Sequence, residues 1–142
     1  MTSNRFPVAV HVLALLAMQK RSLPSSYIAG SVNTNPVVIR RILGALSQAG
    51  LVTTQLGSEG GATLVGSPEE ITLLQIHQAV EQNELFGLRA GETNPYCPCG
   101  SNIRPVLSNI FKRVESVMEA TLQETTLAQV VQAIESLLAQ AS

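Results

Sequence analysis

Asn35 is followed directly by Pro36, and two adjacent arginines, Arg40 and Arg41, stand one helical turn further on. An Asn at this position can accept from the free N–H groups that open a helix, and a Pro at the first helical residue gives up an N–H that the helix leaves unbonded anyway. A helix starting there would present its early and outward residues as a set. Guanidinium forks match guanine edges or phosphate oxygens, and an Asn amide matches adenine. Thr34, Asn35, Val37, Arg40 and Arg41 are therefore candidates for contact with a DNA major groove. The plainer alternative is a capping role for Asn35 and a solvated face for the arginines. An all-basic setting favours DNA for Arg40 and Arg41.

The second set is Cys97 and Cys99, which flank Pro98 and are the only cysteines in the chain. A two-iron cluster needs four protein ligands, and zinc would have to recruit His11 or His77 from distant segments. We therefore expect no cofactor and no metal. A disulfide between the two across a single residue would be strained. Either thiol could instead be oxidised or bridge to a second subunit, which makes both redox candidates. Two inert residues in a turn fit the same spacing. His77 and His11 read as core or interface residues. No Ser/His/Asp set, paired carboxylates or phosphate-binding loop stands out, so nothing motivates an enzyme.

Charge is distributed unevenly around these candidates. The first 58 residues hold five basic side chains (Arg5, Lys20, Arg21, Arg40, Arg41) and no acid, while the remainder holds four basic against ten acidic ones. The net charge of −1 hides this asymmetry, which suits a chain with one half facing phosphates. Thr2, Ser3 and Arg5 could also reach phosphates, or simply form a frayed terminus. With 45% hydrophobic and 13% charged residues among 142, apolar material is ample for a core. The apolar run Val8 to Met18 contains His11 and is too short to span a bilayer. No signal-peptide pattern is evident, and we expect a soluble cytoplasmic protein with no membrane partner.

Several elements must position these residues. Phe6 to Met18 reads as a first helix buried on most sides. After the break at Arg21 to Pro24, Ser25 or Ser26 can cap a short second helix through Val32. Asn33-Thr34-Asn35 is turn chemistry, and the helix after it aligns Val38, Ile39, Ile42, Leu43 and Leu46 before stopping at Gly50. Short helix, tight turn and longer capped helix form a helix-turn-helix pattern. Leu51 to Thr54 and Ala62 to Val65 read as strands joined by a glycine-rich loop, which makes a wing. Gln55, Ser58 and Gly60 of this wing are candidates for contact with the DNA backbone or minor groove. A further helix runs through Leu73 to Val80.

Residues 83–102 read as a linker rich in turn signals. Beyond it, Ile103, Val106, Leu107, Ile110, Val114, Val117, Met118 and Leu122 stripe a long helix, with a break at Thr125-Thr126 before a last apolar segment. Such a stripe needs a partner surface, and a two-fold mate is favoured over a fold back onto the same chain. The expected fold is mainly α with a small two-stranded wing. The expected division is a winged helix-turn-helix domain over 1–82, a linker over 83–102, and dimerisation helices over 103–142.

Taken in order, these segments resemble the Rrf-two family of bacterial winged-helix transcription regulators. The residues that carry the likeness are Val32 to Leu43, Leu46, Ala49 to Val52, Gly57, Gly60-Gly61 and Pro68 to Leu73. Asn94-Pro95, Cys97-Pro98, Gly100 and Ile103 are similar to the YwnA-like branch of that family. The resemblance implies a dimeric repressor-type regulator of double-stranded DNA with a C-terminal dimerisation helix. Cluster-binding members use three cysteines and a fourth ligand, which two cysteines do not match. Related wings often carry an Arg beside the first glycine; Gln55-Leu56 and Glu59 here imply a weaker wing contribution. A winged-helix protein–protein adaptor without specific DNA binding is the alternative, favoured by the pI near 6.1.

Overall fold

A computed structural model describes residues 4–57, 60–88 and 91–141. Helix α1 (Arg5–Gln19) runs through the centre of the N-terminal unit, with Ala9, Val12, Leu13, Ala14, Leu16 and Ala17 buried. It stops at Lys20, whose left-handed backbone (φ 57°) turns the chain while its N–H donates to the Leu16 carbonyl at 3.0 Å.

Helix α2 (Ser25–Val32) starts one residue earlier than a serine cap would require. The residue before its first turn is Pro24, whose carbonyl accepts from the N–H groups of Tyr27 and Ile28, and neither Ser25 nor Ser26 caps. Asn33 then closes the helix in the left-handed region (φ 64°), a conformation that Asn tolerates better than most residues. Two residues later the chain enters helix α3 (Pro36–Gln48), whose buried stripe is Ile39, Ile42, Leu43 and Leu46. Its end is a paired closure: Gly50 N–H donates to Ser47 O at 3.0 Å and Leu51 N–H to Leu46 O at 2.9 Å. Gly50 supplies the positive φ of 78° that this closure needs.

Strands β1 (Val52–Gln55) and β2 (Gly61–Leu64) pair antiparallel, with Val52 opposite Leu64 and Gln55 opposite Gly61. The first strand starts and ends one residue later than the sequence pattern suggests, and the second one residue earlier. Leu23 forms a further antiparallel bridge to Ala62, tying the α1–α2 connection to the wing. After a 3-10 turn at Pro68–Glu70, helix α4 (Leu73–Val80) returns to the core through Ile76 and Val80.

The two C-terminal helices part company. Helix α6 (Leu127–Ala141) folds back onto α1: Leu127 is fully buried, and Val130, Val131 and Ile134 pack against the same core. Helix α5 (Ile103–Glu124) spans 22 residues and buries none of them. It packs along α4, and its apolar residues Val106, Ile110, Val114 and Val117 face solvent, Val117 with 68% of its surface exposed. Among the described residues, no helix is long and apolar enough to cross a membrane.

Candidate nucleic-acid interface

The helix pair α2–α3 holds the candidates that sequence spacing picks out. The Asn35 side chain accepts from the Val37 N–H at 2.8 Å, and Pro36 occupies the first turn, so the N-terminus of α3 is capped by its own sequence. Asn35 therefore does cap. Thr34 is half-buried in the turn, its N–H donating to Ala29 O at 3.0 Å. Val37, Arg40 and Arg41 are exposed. Neighbouring residues on a helix are about 100° apart, which places Arg40 in a row with Pro36, Val37 and Gly44, and Arg41 in a row with Val37, Val38 and Ala45. The two arginines thus diverge. Arg41 lines a cleft of about 290 Å³ with Val38, Ile42 and Arg5, the first residue of α1. Arg5 is helical, so the frayed-terminus alternative does not apply to it; Thr2 and Ser3 lie outside the described residues.

The wing projects Gln55 as the last residue of β1, exposed, and Leu56 beyond it with its whole surface in solvent. Gly60 closes the loop by donating its N–H to Gly57 O at 3.0 Å. A Cβ at Gly60 would lie 2.1 Å from the Gln55 carbonyl oxygen, so the backbone crossing there admits only glycine. Ser58, the third wing candidate, lies outside the described residues, as does Glu59.

The cysteines occupy a turn-rich segment that leads into α5. Asn94 Oδ1 accepts from Tyr96 N–H at 2.9 Å, Cys97 O accepts from Ser101 N–H at 2.8 Å, and Thr93 hydroxyl donates to Gly100 O. Cys97 is half-buried and Cys99 exposed, and both are free thiols. Backbone hydrogen bonds from Gly100 and then Cys99 hold the Cys97 thiol below the ordinary thiol range by stabilising its thiolate.

The histidines differ from each other. His77 meets Phe6 edge to face with ring centroids 5.0 Å apart, a packing role. His11 is exposed and hydrogen-bonded to Ser31 Oγ at 2.9 Å, so it is not a core residue of this chain. The linker also holds contacts that its low periodicity conceals. Phe86 lies against Phe111 of α5 at 5.1 Å, and Leu85 N–H donates to Glu115. Two aromatics 25 positions apart carry no local signal of that pairing.

Comparison with known proteins agrees with this geometry. A profile of the family described as Rrf2, iron-dependent transcriptional regulator, matches residues 2–133. YwnA of Bacillus subtilis (strain 168), named a candidate HTH-type transcriptional regulator, is 40% identical over 131 residues, covering 92% of this chain and 96% of YwnA. A crystal structure of a candidate DNA-binding protein shares 36% identity with a TM-score of 0.73, over 89% of this chain and 97% of that one. A candidate transcriptional regulator from Lactobacillus plantarum superposes with a TM-score of 0.81 at 24% identity, over 93% and 90% of the two chains, which establishes the winged-helix fold. The chain has two cysteines, and among the described residues no group of three or more His, Cys, Asp or Glu could hold a metal ion. With a capped recognition-type helix, an adjoining wing and a family match over almost its whole length, the chain belongs to the Rrf2 family of transcriptional regulators rather than to any enzyme class.

Proposed function

We propose that the chain is a cytoplasmic, sequence-specific DNA-binding regulator that acts as a homodimeric repressor and responds to thiol oxidation. The observation that carries this reading is the Asn35-capped helix α3, which presents Val37, Arg40 and Arg41 to solvent within a 58-residue stretch free of acids. In helix-turn-helix proteins the second helix enters the major groove by its N-terminal residues while the preceding helix crosses the backbone. The wing then reaches the flanking groove with Gln55, Ser58 and Gly60. In this reading residues 1–82 hold DNA, 83–102 link, and the dimer forms through 103–142. The exposed stripe Val106, Ile110, Val114 and Val117 on α5 supports that dimer, because an apolar face of this length gains by burial against an identical copy. In this reading the dimer's site overlaps the promoter, so that bound protein would block transcription.

Cys97 supports the redox arm, since the thiolate and not the thiol reacts with peroxides. Oxidation of the segment that leads into α5 would alter how the dimer helix is set.

The test is fluorescence anisotropy of the purified protein on duplex from upstream of its own gene, against scrambled duplex, with and without peroxide. Specific binding that peroxide abolishes and thiol restores is the expected result. Specific binding indifferent to peroxide removes the redox arm. Salt-insensitive or absent binding to both duplexes removes the DNA reading in favour of a protein adaptor, while equal but salt-sensitive binding removes only the sequence specificity.

A further inference from the structure

The C-terminal end of α1, the second half of β2 and the turn that follows it enclose a pocket of about 360 Å³, within the range of about 300–1,000 Å³ usual for small-molecule sites. None of its lining comes from α2 or α3, so it lies outside the helix pair described above. Its floor is aliphatic: Leu16 and Ala17 of α1 are buried, and Leu64 and Pro68 are half-buried. Its rim carries the polar groups of Lys20, Arg21 and Ser67. Lys20 holds a left-handed backbone (φ 57°) where glycine is the cheaper occupant, so a cation is kept at this edge against a conformational preference. Its ammonium group has no hydrogen-bond or ion-pair partner among the described residues. Ser67 precedes the 3-10 turn, yet its hydroxyl makes no capping hydrogen bond. The Arg21 guanidinium lies over the Tyr27 ring at 5.3 Å, a face contact that leaves its edge N–H groups available to a further partner. No acid lines the pocket; Glu69 and Glu70 come after Pro68 on the 3-10 turn and stay outside it.

We propose that this pocket is a binding site for a small organic acid, a carboxylate that carries a short aliphatic body. The carboxylate pairs with Lys20 and accepts from the Ser67 hydroxyl, while the body covers Leu16 and Leu64. Charge-assisted hydrogen bonds hold the head, and removal of the floor from water holds the body. A bare phosphate would leave that floor wet, as would a DNA strand, whose outer face is charged throughout. An aliphatic acid meets both halves of the lining at once. The ligand would bridge α1 to β2, the strand that Ala62 also ties to Leu23, so for the regulator proposed above its place is at the base of the wing. The site itself does not depend on that reading.

The experiment titrates isotope-labelled protein, without DNA, with sodium hexanoate, sodium propanoate and hexanamide, and follows the backbone amide resonances. Hexanoate should give shifts gathered at Lys20, Arg21, Gly66 and Ser67 that saturate within about 10 mM. Propanoate loses most of the body and hexanamide loses the charge, and each should bind at least about tenfold more weakly. Lys20→Gln should cost at least about tenfold in hexanoate affinity and Ser67→Ala about fivefold, while Lys20→Arg keeps most of it. Spectra that superpose on wild type away from the pocket show that each variant is folded. The proposal is overturned if the hexanoate shifts do not saturate, or if Lys20→Gln binds hexanoate like wild type. It is equally overturned if hexanamide binds as well as hexanoate, which would leave an apolar cavity without preference for an acid. Weaker binding of Lys20→Gln to upstream duplex with no acid present would assign the rim to DNA and overturn it too. Because no DNA enters the titration, its result is read separately from the DNA-binding reading, and either can fail alone.

Discussion

Thr72 and Thr126 stand opposite each other in an antiparallel bridge, and each caps the helix that follows it. Leu73 N–H donates to Thr125 O at 2.9 Å and Leu127 N–H to Ile71 O at 2.8 Å. Thr72 Oγ1 accepts from Gln75 N–H while Gln75 Oε1 accepts from Thr72 N–H, and Thr126 with Gln129 repeats the arrangement. Two capping boxes thus sit side by side, and they lock the start of α6 to the start of α4. This junction makes α6 part of the N-terminal core and leaves α5 as an arm closed at its far end by that core.

Thr126→Ala removes the hydroxyl that satisfies the Gln129 N–H. The expected cost is about 1 kcal/mol, a fall in melting temperature of about 2–4 °C. Thermal unfolding followed by circular dichroism checks it, with Thr126→Ser retaining the cap as the control. An alanine variant that melts with wild type would show that the bridge alone holds the junction.

Leu127, one residue further on, is fully buried in the same core as Leu13 and Ile76. Truncation to alanine leaves a void among side chains from several helices and should cost about 2–5 kcal/mol. The denaturant midpoint should fall with an unchanged slope, because the exposed area on unfolding stays similar. Leu138, 59% exposed on the same helix, should tolerate the same change within about 0.5 kcal/mol.

The contrast between Leu127 and Leu138 also marks where sequence reading runs out. Helix α3 was legible because its signals are local: Asn35 and Pro36 open it, the Ile39–Leu46 stripe faces inward, and Gly50 ends it. The wing was legible for the same reason, within one residue at each strand end. The capping of α2 was not, because Pro24 with its fixed φ offers its carbonyl before Ser25 can act. The destinations of α5 and α6 are a different matter. Both carry an apolar stripe of similar strength, and periodicity shows that a face needs cover without showing what covers it. Only the bridge at Thr72 and Thr126 decides that α6 turns inward. The cleft shared by Arg5 and Arg41 depends likewise on a tertiary approach across more than thirty residues.

Asn35 allows its capping and DNA roles to be separated. Asn35→Asp keeps a side-chain oxygen for the Val37 N–H and adds a negative charge at a helix N-terminus, so stability should hold or rise slightly. The same charge would face DNA phosphates and bases. We expect normal melting with binding to the upstream duplex weakened at least about tenfold, about 1.4 kcal/mol. Asn35→Ala should lose about 1 kcal/mol of stability instead. Undiminished binding by Asn35→Asp would confine this residue to capping.

Ile110 sits in the middle of the exposed α5 stripe, 41% exposed in the single chain. Ile110→Glu removes nothing from the monomer core, so the variant should fold. A carboxylate buried at a two-fold interface would meet its own copy, and the dimer dissociation constant should rise at least about tenfold. Sedimentation equilibrium reads this directly. A variant with unchanged mass at all concentrations would move the dimer face elsewhere or remove the dimer altogether.

Cys97 and Cys99 lie two residues apart in the same turn, yet backbone N–H groups of Gly100 and Cys99 favour the thiolate at Cys97. A group whose folded value is depressed ionises more readily in the folded loop than in the unfolded chain, so the loop is favoured once pH exceeds the unfolded thiol value. That advantage is lost as pH falls through the folded value. Alkylation should follow the same order. With Cys99→Ser, iodoacetamide labelling of Cys97 should rise at a lower pH in the folded protein than in urea, where the loop no longer holds the thiolate. Sulfenic acid formation with peroxide should then favour Cys97 at neutral pH. Identical Cys97 midpoints in the folded protein and in urea would mean that the Gly100 and Cys99 N–H groups do not hold the thiolate in solution, and the redox reading would lose its residue.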